Sequence, residues 1–273
     1  MKILIAADME GITGVTNWDQ VDPEHAEYVR FRRLMTEDVN AAIRGAFDAG
    51  ADEVVVADGH DAGSNILIED LDARARLCSG SPSPLSMMEG IDSEVDGVFF
   101  IGYHARAGSQ DAILDHTWSD TRVANVWLNS VLVGEYGLNA AVAGYYGVPV
   151  IMISGDQTAC AQTVELLGPL ETAVVKQARS RFAAECLTPP DAQEQIAQSA
   201  RRAVERLAEG DAPDPYIVDA PVAVTIEFRR SDMADRASRL PGSQRVGLRI
   251  AFSSPDMIAA YLSFRAAVSL AAA

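Results

Sequence analysis

Apolar residues in the first half of the chain fall into short unbroken runs, each closed by acidic, glycine or histidine positions. Lys2–Ala7 is the first, with Asp8 and Glu10 directly behind it; Glu53–Ala57, Gly97–Gly102 and Val148–Ser154 repeat the form. Runs that are apolar throughout, with no alternation, mark strands buried on both faces, as in parallel sheets. Between the first two runs, Phe31, Met35, Val39, Ala42, Ile43 and Ala46 recur at helical spacing and stop at Gly50. Asp22-Pro23 is the expected start of that helix, with proline at the first helical position. A further helix is expected from Glu135 to Tyr146. Strand, helix, strand is the repeating unit of a parallel sheet, so roughly the first 160 residues read as a three-layer α/β domain.

The pattern then changes. Asp191–Glu209 is amphipathic, with Ile196, Ala200, Val204 and Leu207 on one face and Gly210 as its stop. Gly210–Pro215 reads as a turn or linker. Val222–Phe228 and Arg245–Phe252 are strand-like, with Pro241-Gly242-Ser243 as a turn before the second. A last helix is expected from Ser254-Pro255, turning Met257, Tyr261, Phe264 and Val268 inward. The expected division is an α/β unit over residues 1–190 and a smaller α+β region over 191–273.

Charge narrows the choice of partners. The 273 residues hold 39 acids against 22 bases, a net charge of −17, which repels phosphate backbones and anionic membrane surfaces. The apolar stretch Met257–Ala273 is interrupted by Arg265 and is shorter than the ~20 residues a bilayer requires. The opening MKILIAADMEG lacks the apolar length of a secretory signal. Cys78, Cys160 and Cys186 form no CxxC pair and suggest free thiols in a reducing compartment. These features point to a cytoplasmic protein that binds neither nucleic acid nor membrane.

The four histidines are more specific. His60 follows the second predicted strand and His104 the third, while Asp8 and Glu10 follow the first. Parallel strands point one way, so all four gather at the carboxyl edge, where open α/β sheets bind ligands. A lone Asp after a strand is usually a turn former, and a lone His usually structural; the conjunction at three strand ends outweighs that reading. Asp8 and Glu10 lie two residues apart and face the same side. Such a pair must be protonated or neutralised by a cation, and no basic residue occurs from Ile3 to Trp18. Mixed imidazole and carboxylate ligands suit Zn²⁺ best, with Mn²⁺, Co²⁺ and Fe²⁺ as alternatives, and a bridging carboxylate would make a two-metal site.

His116 lies in a segment expected to return over that edge, as proton donor, base or nucleophile, or else as a surface-loop residue. Glu135 could add a carboxylate at a helix N-terminus, although a first-turn Glu is commonplace. His25 is assigned no role, and Cys160 reads as core. There is no GxSxG elbow, phosphate loop, GxGxxG or HExxH motif.

Ala7-Asp8-Met9-Glu10-Gly11-Ile12, Asp58-Gly59-His60, Gly102-Tyr103-His104-Ala105, His116-Thr117 and Gly134-Glu135-Tyr136-Gly137-Leu138-Asn139-Ala140 resemble, in this order, the zinc-dependent D-aminopeptidase family of DppA-like metallopeptidases. The likeness continues through Gly155-Asp156, Ala173-Val174-Val175-Lys176 and Leu240-Pro241-Gly242. It implies Rossmann-like layers with a smaller α+β domain, two Zn²⁺ per subunit, and a ring-shaped homo-oligomer. It implies removal of N-terminal D-amino acids from short peptides or amino-acid amides. Carried over by position, it implies metal ligands at Asp8, Glu10, His60, His104 and Glu135, with Asp8 as the bridge and His116 as the catalytic histidine. Asn139 and Asp156 are further candidates for holding the substrate. Two other readings stand beside this one. The first is a dinuclear hydrolase of phosphoesters or cyclic amides, with Arg106 as the phosphate contact. The second is a non-catalytic, metal-dependent peptide-binding protein.

Overall fold

The apolar runs become strands, and the computed structural model, which describes residues 1–272, traces them as follows. β1 (Lys2–Ala7) leads to α1 (Tyr28–Asp48), β2 (Glu53–Asp58), β3 (Ala75–Cys78) and β4 (Gly97–Tyr103). A hairpin, β5 (Val123–Leu128) and β6 (Val131–Val133), precedes α2 (Glu135–Tyr145), β7 (Val150–Asp156), α3 (Gln157–Leu167), β8 (Glu171–Ser180) and β9 (Ala183–Cys186). The chain ends with α4 (Pro189–Glu209), β10 (Val222–Phe228), α5 (Ser231–Ala237), β11 (Gln244–Val246), β12 (Arg249–Ser254) and α6 (Met257–Leu270).

Seven strands form one sheet in the order β3-β2-β1-β4-β7-β8-β9, parallel except where β9 runs back along β8. Five form an antiparallel sheet in the order β11-β12-β10-β5-β6. Each strand of the large sheet sends alternate side chains to opposite faces. Ile3 and Ile5 join Val54, Val56, Phe99 and Ile101 beneath α1 and α4. Leu4 and Ala6 join Val55, Val98 and Phe100 in a second core, which continues through α2, the antiparallel sheet and α6. Two cores, one per face, are why these strands show no polar alternation.

Two sequence expectations are corrected. Asp22-Pro23 does not start a helix: the Asp22 carboxylate accepts the Glu24 N–H, its carbonyl accepts the His25 N–H, and these local turns delay α1 to Tyr28. Arg245–Phe252 is not one strand but the β11–β12 hairpin, turning at Gly247, where φ is +61°. The two sheets interleave along the chain. β5 and β6 pair into the antiparallel sheet, while α4 lies across α1 against the large one. Cys160 is buried as expected, but Cys186 is exposed. Among the described residues, no helix is long and apolar enough to cross a membrane.

β1 sits inside the large sheet. The chain first builds β2 and β3 on one side of it, then returns to place β4 on the other. The crevice at such a reversal is the ligand position of open α/β sheets. Because α4 closes the core beneath this sheet, Ile196→Ala is expected to cost about 2–5 kcal/mol of stability, measured by chemical denaturation as one cooperative loss that includes the large sheet.

Candidate metal centre

The ends of β1 and β4 are brought together by glycine. The Asp8 N–H donates to the Ile101 carbonyl at 2.8 Å and the Gly11 N–H to the Gly102 carbonyl at 2.7 Å. A Cβ on Gly11 would stand 1.9 Å from the Tyr103 carbonyl oxygen, and one on Gly102, with φ at +74°, 2.3 Å from that of Asp8. Any side chain at either position would push the strand ends apart. The loop beyond Asp8 is held from two further sides. The Lys176 ammonium on β8 donates to the carbonyls of Glu10, Ile12 and Val15, at 2.7, 2.8 and 2.8 Å. The Asp38 carboxylate on α1 accepts the Thr13 N–H at 2.9 Å and its hydroxyl. Burial raises Asp38 to about 6 against the pull of the Thr13 bonds, and burial lowers Lys176 to about 8 against the nearby acids, Asp156 foremost.

Three imidazoles are anchored alike. His60 Nε2 lies 2.8 Å from the Val21 carbonyl, His104 Nδ1 3.0 Å from that of Ala105, and His116 Nδ1 2.8 Å from that of Leu114. A carbonyl only accepts, so each of these nitrogens carries the proton and turns the other nitrogen toward the carboxylates. His60 Nδ1 is 3.4 Å from Asp8 Oδ1 and 3.2 Å from Glu10 Oε2. His104 Nε2 is 3.4 Å from Asp8 Oδ2 and 3.1 Å from Glu135 Oε1. His116 Nε2 is 3.8 Å from Glu10 Oε1 and 3.6 Å from Glu135 Oε1, its ring stacked on His104 at 3.9 Å. Glu135 opens α2, and its Oε1 accepts the Trp118 N–H at 2.6 Å.

Asp8, Glu10, His60 and His104 are charged against the cost of burial. Burial alone would raise Asp8, but the imidazoles of His104 and His60 beside it hold it well below the usual carboxylate range. Glu10 is likewise lowered, with His60 overcoming burial. Burial alone would lower the two imidazoles; Glu10 and Asp8 hold His60, and Glu135 and Asp8 hold His104, well above the usual value. Even so, Asp8 Oδ2, Glu10 Oε2 and His104 Nε2 are buried with no hydrogen-bond partner. Two donors on one tetrahedral zinc, each ~2.1 Å from it, lie ~3.4 Å apart, close to the spacings of His60 and His104 from their carboxylates. His104, His116 and Glu135 form one triplet whose donor atoms lie within 4.8 Å of one another, and Asp8, Glu10 and His104 form another. The residues therefore fit a nitrogen- and oxygen-ligated divalent cation.

A pocket of ≈ 750 Å³ opens above the cluster, walled by Trp18, His60 and His116 on one side and by Trp118 with Arg265 and Ser269 of α6 on the other. Asp8, Glu10, His60, His104, His116 and Glu135 are thus brought together. Asn139 and Asp156 are not in this pocket, because both side chains are engaged inward. Asn139 donates to the Tyr103 hydroxyl at 2.8 Å, and Asp156 caps α3 at Thr158 and Ala159 while accepting the Ile113 N–H. Arg106 does not line the pocket either.

Spacing did not point to Trp18 or Arg181. Trp18 meets His116 edge-on at 5.4 Å. Arg181 pairs with Asp115 at 3.0 Å and Asp120 at 2.5 Å, gripping the His116 loop from both sides. Neither carries a local signal: both lie in connecting segments, far along the chain from what they touch.

A family model described as D-aminopeptidase matches residues 1–266. The chain is 38% identical to a D-aminopeptidase of Bacillus subtilis (strain 168) over 99% of its own length and 98% of the relative's. Its fold matches the solved structure of DppA from Bacillus subtilis, described as a zinc-dependent D-aminopeptidase and self-compartmentalizing protease. The TM-score is 0.96 at 37% identity, covering 99% of this chain and 98% of that one.

A cation entering the cluster must displace the protons that His60 and His104 retain above the usual imidazole range. Zinc binding is therefore expected to release protons at neutral pH and to weaken as pH falls. Calorimetric titration in buffers of different ionisation heat measures this; binding without net proton release would contradict it.

Proposed function

The chain belongs to peptidase family M55, the D-aminopeptidases, and from that premise we propose that it hydrolyses N-terminal D-residues from short peptides or amino-acid amides at a zinc centre. The observation that carries this reading is the set of buried, unpartnered oxygens and nitrogen at Asp8, Glu10 and His104, spaced as ligands of shared ions. We assign two ions. Asp8, Glu10 and His60 would hold one, and His104 and Glu135 together with Asp8 would hold the other, Asp8 being shared. When bound, such ions polarise a scissile carbonyl and lower the pKa of water toward ~7.

The protein's own groups supply the rest. His116 donates its Nδ1 proton to the Leu114 carbonyl, so its Nε2 faces the pocket with a lone pair. That nitrogen can take a proton and deliver it to the leaving amine, which makes His116 a general acid and base in this proposal. Trp18 and the Arg181 bridge keep the ring in place. Asp156, which accepts the Ile113 N–H, braces the loop that carries His116. Self-association into a ring is also proposed, by likeness to the self-compartmentalizing relative. Val246 and Leu248, exposed at and beside the open edge strand β11, are compatible with it.

A panel of D- and L-aminoacyl amides and dipeptides tests the reading. D-configured substrates are expected to be cleaved in preference, with activity lost on chelation and restored by zinc. Equal cleavage of both series, or none of either with zinc present, would overturn it. His116→Ala is expected to retain bound zinc while turnover falls about 10²- to 10⁴-fold; near-normal turnover would remove His116 from the mechanism.

A further inference from the structure

Lys176 is among the largest fully buried side chains of the protein, and it enters the loop after β1 from 161 to 166 residues away in sequence. Its ammonium has three protons and uses each on a backbone carbonyl: Glu10 at 2.7 Å, Ile12 at 2.8 Å and Val15 at 2.8 Å. Three carbonyl oxygens converging on one buried point repel one another and would be costly to leave unpaired. An ammonium can satisfy all three, whereas the planar fork of arginine does not match three converging acceptors. From the opposite side, Asp38 takes the N–H and hydroxyl of Thr13, in the middle of the same loop.

We infer that Lys176 is a positioning residue of the metal centre, whose ammonium fixes the backbone of Glu10–Val15 and so sets where the carboxylates of Asp8 and Glu10 stand. One of its three acceptors is the carbonyl of Glu10, so the main chain of a ligand is itself tethered while its carboxylate turns toward His60 and His116. Among the described residues, the ammonium donates to backbone oxygens alone, leaving both carboxylates free for a cation. Lys176 acts through the loop and touches neither substrate nor metal.

The inference rests on the zinc reading above, and the experiment separates the two. Zinc affinity of the full-length protein is measured by competition with a chromogenic chelator for the wild type, Lys176→Met and Val175→Ala. Val175 is a fully buried neighbour on the same strand, and its truncation reports lost core packing alone. Lys176→Met is expected to bind zinc about 10- to 100-fold more weakly, the range seen when groups supporting metal ligands are removed. Val175→Ala is expected to lose thermal stability with its zinc affinity unchanged. If Lys176→Met does not fold, the same titration on Lys176→Arg decides, with weakened binding expected again. A folded Lys176 variant that binds zinc as the wild type does, or a Val175→Ala protein weakened equally, overturns the assignment. A wild type that binds no zinc overturns the metal centre itself.

Discussion

Three carboxylates share a small buried volume at the edge of the parallel sheet, and the surrounding structure is arranged to make that tolerable. Asp8, Glu10 and Glu135 are each nearly inaccessible to solvent, a condition that isolated ionised acids do not sustain. The neutralising partners come from elsewhere in the chain, His60 from the end of β2 and His104 from the end of β4, and the loop that folds back over them adds the His116 ring. Each imidazole is turned by a backbone carbonyl so that its second nitrogen points inward. The centre is therefore fixed by main-chain geometry as much as by the choice of ligands.

That geometry was partly legible in the residues alone. Uninterrupted apolar runs identified β1, β2, β4 and β7, because strands with a core on each face have no reason to alternate. Reading Asp8, Glu10, His60 and His104 as ends of parallel strands placed them on one edge without any knowledge of their distances. His116 and Glu135 were harder. Neither follows a strand of the large sheet; a returning loop and a helix start mark them as candidates, each beside an ordinary structural reading, and the ordered likeness to a family favours the functional one.

Other features had no local signature. The sequence carries no basic residue from Ile3 to Trp18, yet Lys176 arrives at the same loop from β8, and it serves the carbonyls instead of the carboxylates. Asn139 and Asp156 sit in suggestive motifs, but whether a polar side chain faces a pocket or the interior is decided by packing, which periodicity does not report. The interleaving of the two sheets was hidden for a similar reason: β5 and β6 are short, and β10, the partner of β5, lies about a hundred residues further on.

The carbonyl of Val21 anchors His60, and it belongs to the same stretch of chain that carries Trp18 into the pocket wall. Under the proposed function, the wall that would shape selectivity and the imidazole that would hold a metal ion are thus mechanically joined. A lineage that reshaped this wall to admit bulkier side chains would disturb the orientation of an imidazole at the heart of the centre. Adaptation to new substrates would then be steered toward the opposite wall, where α6 contributes Arg265 and Ser269 without touching a metal-facing group.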